Sequence, residues 1–233
     1  MGNPLETGQI EWRGRVRLVD EVTDVLRERI YAGVYAPGAA LRQEQLAADL
    51  DISRTPLREA LRVLESEGLV RSEPGRGVRV VSVDARTLLA GYEVREVLDG
   101  LAARLAARRA EARDLAVLEA HLDDQRAALQ EPDIGTYTRA NVAFHTAIVD
   151  IAGNDFVVAQ LSLIPLTAQV FTPARRIAFD RVRTSVAEHE AIVAAIAAGD
   201  EDAAESAARA HIRVTIDQLA ASVADDPEKD PLR

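Results

Sequence analysis

The sequence changes character at Gly68, and this change limits the folds open to the first 80 residues. Before Gly68, apolar residues recur at helical spacing in three stretches, which Pro37-Gly38 and residues 51–53 separate. After it, two short runs rich in β-branched residues flank a turn of proline and glycine at 73–77. The pattern predicts three helices and a β-hairpin, with the helices at 16–33, 42–50 and 53–67 and the strands at 69–72 and 78–81.

From residue 83 onward the sequence predicts helices alone, because periodic, alanine-rich stretches are separated by Pro, Gly and Asn stop signals. Ser185 and Glu188 have the spacing of a capping box and predict a helix start. The predicted helices cover 88–109, 112–130, 134–152, 156–176 (interrupted by Pro165 and Pro173), 185–198 and 200–223.

The predicted fold class is therefore mainly α. We expect a flexible N-terminal arm over 1–15, a domain of three helices plus a hairpin over 16–82, an all-α helical bundle over 83–224 and a charged tail over 225–233. A chain of 233 residues is long enough for two such domains.

The composition limits the cellular compartment and the kinds of covalent and metal chemistry that are open to the chain. The chain has no cysteine, which excludes disulfides and thiolate metal sites. No apolar run reaches the roughly 20 residues that a membrane span needs, and the N-terminus lacks the pattern of a signal peptide. These features predict a cytoplasmic protein without a membrane partner.

The net charge of −10 is unevenly distributed. Residues 15–80 carry 11 basic and 11 acidic side chains, whereas the remainder carries 17 basic and 27 acidic ones. Any affinity for nucleic acid must therefore come from locally placed arginines and not from a global field.

The third predicted helix has one basic and one apolar face. Arg54, Arg58 and Arg62 are four residues apart and form one stripe. A short helix held by two others, with arginines outward, is how a recognition helix enters the major groove of DNA. The alternative is a solvated amphipathic helix with surface arginines. The opposite, apolar face consists of Leu57, Ala60, Leu61 and Leu64.

Two further features extend this DNA-binding interpretation. Ser53 and Thr55 lie at the start of the helix, where hydroxyls and free N–H groups can hold phosphate. Arg76 stands between Gly75 and Gly77 at the hairpin tip, from which it could reach the minor groove.

Residues 35–80 resemble the GntR family of bacterial winged-helix regulators. The resemblance is carried by the run SRTPLREAL at 53–61, together with Pro37-Gly38, Leu46-Ala47, Glu67–Val70 and Gly75–Gly77. It implies a winged helix-turn-helix in which Arg54 and Arg58 read bases or phosphates, Ser53 and Thr55 anchor phosphates, and the wing tip lies in the minor groove. It also implies a homodimer on a near-palindromic double-stranded DNA operator.

Relatives in this family carry an arginine early in the second helix. Aligned on Leu46, this chain has Glu44 at that position, and its arginine is Arg42. Arg42 is therefore included among the candidate DNA-binding residues.

The rest of the chain resembles the FadR-like branch of the family, whose C-terminal FCD domain is a ligand-binding helical bundle. The matching pieces are 92–98 with 101–103, 141–145, 152–154, 188–190 with 199–200, and 210–211. The resemblance implies metal ligands at Asn141, His145, His189 and His211. The three histidines fall on three predicted helices, and Asn141 shares a face with His145.

Three imidazoles and one oxygen suit Zn²⁺ or Ni²⁺. The family's usual residue at the position of Asn141 is aspartate, and the neutral amide predicts a weaker site. The alternative is a pocket that holds its ligand with weak help from the metal.

In the resembling proteins the effector is commonly a small carboxylate lying over the metal. A carboxylate can bridge a metal and an arginine fork. Arg95 matches the family's position for that fork, and Arg139 and Arg175 are further candidates. The alternative for Arg95 is a surface salt bridge with Glu96, Glu93 or Asp99.

These features predict a ligand-responsive transcription repressor of the bacterial cytoplasm with no catalytic residues. In the predicted mechanism, ligand binding shifts packing near 83–87 and changes the spacing of two recognition helices. One rival is a metallohydrolase with Glu188 or Glu190 as base, but no HExxH spacing is present and the first 80 residues would be unexplained. Another is a dimerisation scaffold with a vestigial, metal-independent pocket.

Overall fold

The computed structural model describes residues 4–82, 84–130, 134–170 and 179–224. The chain divides into two compact units, Met1–Ser82 and Val83–Arg233. The predicted fold class, mainly α with a small sheet in the N-terminal part, is confirmed. None of the described helices combines the length and the apolarity that a membrane span requires.

Unit 1, Met1–Ser82, is a winged helix-turn-helix. A three-stranded antiparallel sheet follows the order β1-β3-β2. The predicted hairpin is present, and the structure adds β1, which pairs through Ala40 with Arg79 and through Leu41 with Val78. Two residues carry no period-2 pattern of their own, so the sequence could not reveal this strand. The elements are α1 (Pro4–Tyr31), β1 (Ala40–Leu41), α2 (Gln43–Asp49), α3 (Arg54–Ser66), β2 (Val70–Glu73) and β3 (Gly77–Val80).

Helix α1 begins at Pro4 and not near residue 16, so most of the arm expected over 1–15 has helical backbone. Proline fits the first position of a helix, since its missing N–H would be unpaired there in any case. The residues that follow include Glu6, Gln9 and Glu11, which have good helix propensity. An apolar stripe is a sufficient sign of a helix but not a necessary one.

Helix α3 is fixed from its apolar side. Leu57 and Leu64 are fully buried, as is Leu26 on α1. A bidentate ion pair joins α1 to the end of α3, with Arg27 Nη2 2.6 Å from Glu67 Oε1 and Arg27 Nε 3.0 Å from Glu67 Oε2. Apolar burial and this ion pair together leave the opposite face of α3 toward solvent.

Unit 2, Val83–Arg233, contains helices and no strand among its described residues, as predicted. Helix α4 packs along α10, and α6 packs against α4 and α5. Buried alanines such as Ala102, Ala103 and Ala106 on α4 let neighbouring helices approach closely around Phe144. The elements are α4 (Ala85–Arg109), α5 (Ala112–Gln130), α6 (Ile134–Ala152), α7 (Asp155–Val158), α8 (Leu163–Pro165), a π-helix (Leu166–Val170), α9 (Phe179–Ala197) and α10 (Glu201–Ala224).

Two predictions in unit 2 are corrected. The helix expected over 156–176, with interruptions at Pro165 and Pro173, consists of α7, α8 and the π-helix in its described part, which ends at residue 170. The interruption predicted at Pro165 coincides with the end of α8, and Pro173 lies outside the described residues. The expected helix start at Ser185 is wrong, because α9 begins at Phe179 and Ser185 is buried inside it. Ser185 hydrogen-bonds the side chain of Tyr137, and burial raises the pKa of Tyr137 to about 12.

Leu64→Ala tests the packing that holds α3. Because Leu64 is fully buried, we expect the substitution to lower the free energy of unfolding by about 2–5 kcal/mol through lost burial and a residual cavity. Val63→Ala, at the neighbouring and 39% exposed position, is the control and should cost less than about 1 kcal/mol. Equal losses in urea denaturation would contradict this placement of α3.

Candidate nucleic-acid interface and metal centre

The outer face of α3 carries the predicted basic stripe. Arg54, Arg58 and Arg62 are exposed, whereas the apolar face of the helix is buried. Ser53 is the N-cap residue by backbone conformation, yet its side chain makes no capping hydrogen bond. Thr55 is exposed in the first turn, so both hydroxyls lie at the exposed start of the helix.

The backbone conformation of the hairpin tip is one that favours glycine. Gly75 and Gly77 adopt φ angles of 74° and 80°, in the left-handed region that side chains with a Cβ rarely occupy. Arg76 between them is exposed, and its N–H donates to the carbonyl of Glu73 at 3.0 Å. The turn therefore presents one guanidinium at the end of the wing.

Few carboxylates lie close to the candidate DNA-binding arginines. Glu44 Oε1 lies 3.6 Å from Arg54 Nη1. In the part of the chain that the structure describes, Arg42, Arg58, Arg62 and Arg76 have no carboxylate within 4.0 Å. All four are exposed, so their guanidinium groups are accessible to an anionic partner. Their contacts with DNA stay predictions.

Three histidines from three helices meet in the interior of unit 2. His145 on α6, His189 on α9 and His211 on α10 are all buried. One ring nitrogen of each lies within 4.8 Å of those of the other two. His189 Nε2 lies 3.2 Å from His211 Nε2. Two nitrogens bound to one tetrahedral Zn²⁺ are separated by a similar distance, about 3.3 Å. Phe144 packs on the ring of His189, with centroids 4.4 Å apart.

Each imidazole is held from behind by an oxygen acceptor. His189 Nδ1 donates to Gln125 Oε1 at 2.7 Å, and His211 Nδ1 donates to Glu188 Oε2 at 2.6 Å. His145 Nδ1 lies 3.2 Å from Asp99 Oδ2. Because these acceptors place the proton on Nδ1, each Nε2 presents a lone pair to the centre of the cluster. His145 Nε2 is buried with no hydrogen-bond partner among the described residues.

Arginines hold the two supporting carboxylates. Arg95 Nη2 donates to Asp99 at 2.7 Å, and Arg181 Nη1 donates to Glu188 at 2.9 Å. Burial opposes ionisation of Asp99, but the Arg95 charge and His145 outweigh it and hold the pKa of Asp99 well below its usual range. For Glu188 burial likewise opposes ionisation, and its bond to His211 with the Arg181 charge still lowers its pKa. Both carboxylates are therefore ionised acceptors.

Arg95 is buried in this arrangement. Its Nη1 donates to Thr167 Oγ1 at 3.2 Å, and its guanidinium lies 5.6 Å from the centre of the Tyr92 ring. The pair with Asp99 is therefore interior and not the surface salt bridge that was the alternative for Arg95. Arg95 Nε is buried and has no hydrogen-bond partner among the described atoms. The predicted contact of Arg95 with an effector stays a prediction.

The remaining candidate residues for metal or effector binding have no contact with the histidine cluster that the structure establishes. Asn141 is half-buried on α6, one turn before His145, and its coordination of a metal stays a prediction. Arg139 is exposed and donates to Thr136 Oγ1 at 2.8 Å, along its own helix. Arg175 lies outside the described residues. His121 is half-buried on α5 and does not belong to the histidine cluster.

Sequence reasoning missed the outer partners of the histidines, which are Asp99, Gln125, Arg181 and Glu188. Asp99 follows Arg95 by one helical turn, and this spacing was the one signal available for that pair. Gln125 on α5 is an isolated polar residue on the buried face of its helix. A buried glutamine at helical spacing calls for a hydrogen-bond partner, although the sequence does not indicate which one.

The histidine cluster predicts that the metal-free bundle is sensitive to acid. Burial lowers the pKa of His145 and His189, and it lowers that of His211 to about 4 even though Glu188 opposes the shift. The unfolded chain then takes up protons near pH 6.5 that the folded chain does not, so stability falls as the pH drops from about 6.5 toward 4. His211 alone accounts for about 3 kcal/mol over this window.

Urea denaturation of chelator-treated protein at several pH values measures this loss. His211→Gln should flatten the dependence on pH, whereas His121→Gln, outside the cluster, should leave it unchanged. A free energy of unfolding that stays constant from pH 7 to pH 4.5 would show that the imidazoles are not buried in the neutral form.

Comparison with known proteins agrees with this architecture. The profile described as bacterial regulatory proteins, gntR family, matches residues 18–80, and the FCD domain profile matches residues 90–214. The Nta operon transcriptional regulator of Aminobacter aminovorans is 32% identical over 79% of this chain and 86% of its own length. The galactonate operon transcriptional repressor of Escherichia coli (strain K12) is 29% identical over 81% of this chain and 91% of its own length.

Among solved structures, E. coli McbR/YncC has a TM-score of 0.77 over 88% of this chain and 98% of that chain, at 24% identity, which shows a shared fold. The matched profiles and the relatives cover both structural units. The chain therefore belongs to the gntR family of DNA-binding bacterial transcription regulators, and its C-terminal part is an FCD domain.

Proposed function

We propose that this protein is a repressor that binds a near-palindromic operator as a homodimer and senses a small carboxylate in a metal-containing pocket of its FCD domain. The observation that carries the proposal is the convergence of three buried imidazoles, each with Nδ1 held by an acceptor and Nε2 turned inward. Such a cluster is costly to bury unless it binds something.

On the DNA side, Arg54, Arg58 and Arg62 would enter the major groove from α3. Ser53, Thr55 and Arg42 would contact phosphates, and the wing tip of Gly75, Arg76 and Gly77 would lie in the minor groove. One recognition helix covers too few base pairs for a unique site, so a two-fold dimer on a near-palindrome is the arrangement that doubles the contacts. The exposure of these residues supports the assignment.

On the FCD side, His145, His189 and His211 would hold Zn²⁺ or Ni²⁺ through Nε2, with Asn141 as the oxygen ligand. A bound ion would supply a Lewis-acidic position for an oxygen atom of the effector. Asp99, Gln125 and Glu188 would act as positioning residues, because each fixes the tautomer and the orientation of one imidazole. The donor set fits such an ion, since all three histidines are neutral and share one interior point.

Charge supports an anionic effector. The four proposed ligands are neutral, and the carboxylates behind His145 and His211 are each paired with an arginine. The protein therefore brings no uncompensated negative charge to a divalent ion, and a carboxylate ligand would supply it. Arg95 Nε is a buried donor available to such a ligand. Arg139 and Arg175 remain candidate contacts.

The E. coli repressor similar to this chain is named for a galactonate operon, and galactonate is a carboxylate. In the mechanism that we propose, the effector binds one of two states of the bundle more tightly. This difference shifts packing near residues 83–87 and changes the spacing of the two recognition helices in the dimer.

The rival functions receive less support. A metallohydrolase needs a general base, but Glu188 already accepts from His211 and pairs with Arg181, and its pKa is lowered. Glu190 is exposed and pairs with Arg126 at 2.8 Å. A scaffold with a vestigial pocket would have no reason to keep three buried imidazoles with aligned outer partners.

Arg58→Ala tests the DNA interface. A selection from random duplexes at a stated salt concentration provides the operator. We expect the variant to lose about 1–3 kcal/mol of affinity for that duplex per recognition helix, and with it sequence preference, because a base or phosphate contact disappears. Arg113→Ala, an exposed arginine on α5, removes the same charge and should bind normally. Wild-type affinity in Arg58→Ala with an unchanged melting temperature would show that α3 is not the recognition helix.

His189→Ala and Gln125→Leu test the metal centre in two steps. Elemental analysis should find a divalent metal in the wild type and none in His189→Ala. Gln125→Leu keeps all proposed ligands but removes the acceptor at His189 Nδ1, and should weaken metal affinity about 10–100-fold in chelator competition. His121→Ala is the control with full metal content. A full complement of metal in His189→Ala, or a melting temperature insensitive to chelator and to added Zn²⁺, would contradict the site.

A further inference from the structure

Glu44 and Arg54 form an ion pair across the two helices of the helix-turn-helix. Glu44 lies in the first turn of α2, and Arg54 is the first residue of α3. Glu44 Oε1 is 3.6 Å from Arg54 Nη1, and the two side chains are 85% and 62% exposed. Among the described arginines of α3, Arg54 alone has a carboxylate within 4.0 Å.

The stability of the fold gives little reason for the ion pair between Glu44 and Arg54. An exposed ion pair contributes little to stability, because water and salt screen the attraction. The first helix of a helix-turn-helix crosses the DNA backbone, and the N-terminal residues of the second helix reach base edges. A carboxylate at this junction repels phosphates, so it lowers the affinity that does not depend on sequence.

The guanidinium group can serve Glu44 and a base at the same time. It has five N–H donors in a rigid fork, and a contact at Nη1 leaves donors for the O6 and N7 acceptors of a guanine. A flexible arginine without a carboxylate neighbour pairs equally well with any phosphate, and such a contact carries no sequence information.

We propose that Glu44 is a specificity-determining residue that keeps Arg54 from the phosphate backbone and directs its donors to a base edge. This inference rests on the DNA contact of α3 in the proposed function and adds a carboxylate to that contact. Glu44 acts through Arg54 and is a positioning residue for it.

Glu44→Gln tests the inference on two duplexes, the operator selected with the wild type and a scrambled duplex of the same length and composition. Fluorescence anisotropy at several salt concentrations gives both affinities. We expect affinity for the scrambled duplex to rise about two- to fivefold, the size of an exposed ion pair. The slope of log K against log salt on that duplex should steepen by up to about 0.9, because Arg54 becomes free to neutralise a phosphate. Operator affinity should change less, so the ratio of the two affinities falls.

Two controls separate this effect from simple charge. Asp49→Asn removes the same charge at the other, exposed end of α2 and should leave the ratio of affinities at the wild-type value. In an Arg54→Gln background, Glu44→Gln should no longer change the ratio. The inference is overturned if Glu44→Gln leaves the ratio unchanged, changes it no more than Asp49→Asn does, or changes it equally without Arg54. Wild-type binding to the operator tests the proposed function separately.

Discussion

The structure of unit 2 depends on one constraint, the burial of three imidazoles inside an apolar bundle. A buried polar atom left without a partner costs about 1–3 kcal/mol, and three imidazoles bring six ring nitrogens. The three Nδ1 atoms are satisfied by Asp99, Gln125 and Glu188, and the two carboxylates among these need Arg95 and Arg181 in turn. The resulting network ties α4, α5, α6, α9 and α10 together, so the site and the packing of the bundle form one system.

Arginine serves two opposite purposes in this protein. In the less exposed parts of each unit it pairs with a carboxylate, as in Arg27 with Glu67 and Arg95 with Asp99, where the distances are 2.6 and 2.7 Å. On the outer face of α3 and at the wing tip it faces solvent. The segment that carries the exposed arginines is electrically neutral as a whole, and the excess negative charge lies elsewhere in the chain. Unit 1 therefore lacks a strong positive electrostatic field that would bind any DNA sequence. The geometry of individual guanidinium groups must supply the preference for one sequence.

How far the sequence predicted this arrangement depends on whether the signal was local. The two faces of α3, the hairpin and the bounds of α5 and α6 follow from periodicity and stop signals within a few residues. The three histidines came from a resemblance, and the structure brings them together. The features that the sequence did not predict depend on residues far apart in the chain. Strand β1 exists only because β3 lies beside it, and Gln125 contacts His189, which is 64 positions away. At Ser185 a local capping signal was overridden by tertiary burial against Tyr137.

The contact between His189 Nε2 and His211 Nε2 supports a cation at the centre. With both Nδ1 atoms donating, two lone pairs face each other at 3.2 Å, and this repulsion can be relieved in three ways. A proton between them is opposed by burial, which lowers the pKa of both imidazoles. A change of tautomer at His211 would break its bond to the ionised Glu188, and one at His189 requires the Gln125 amide to turn over so that Nε2 donates to His189 Nδ1. A divalent metal would relieve the repulsion with both Nδ1 bonds and the Gln125 amide left as they are, and it would also give His145 Nε2, which has no hydrogen-bond partner among the described atoms, a partner.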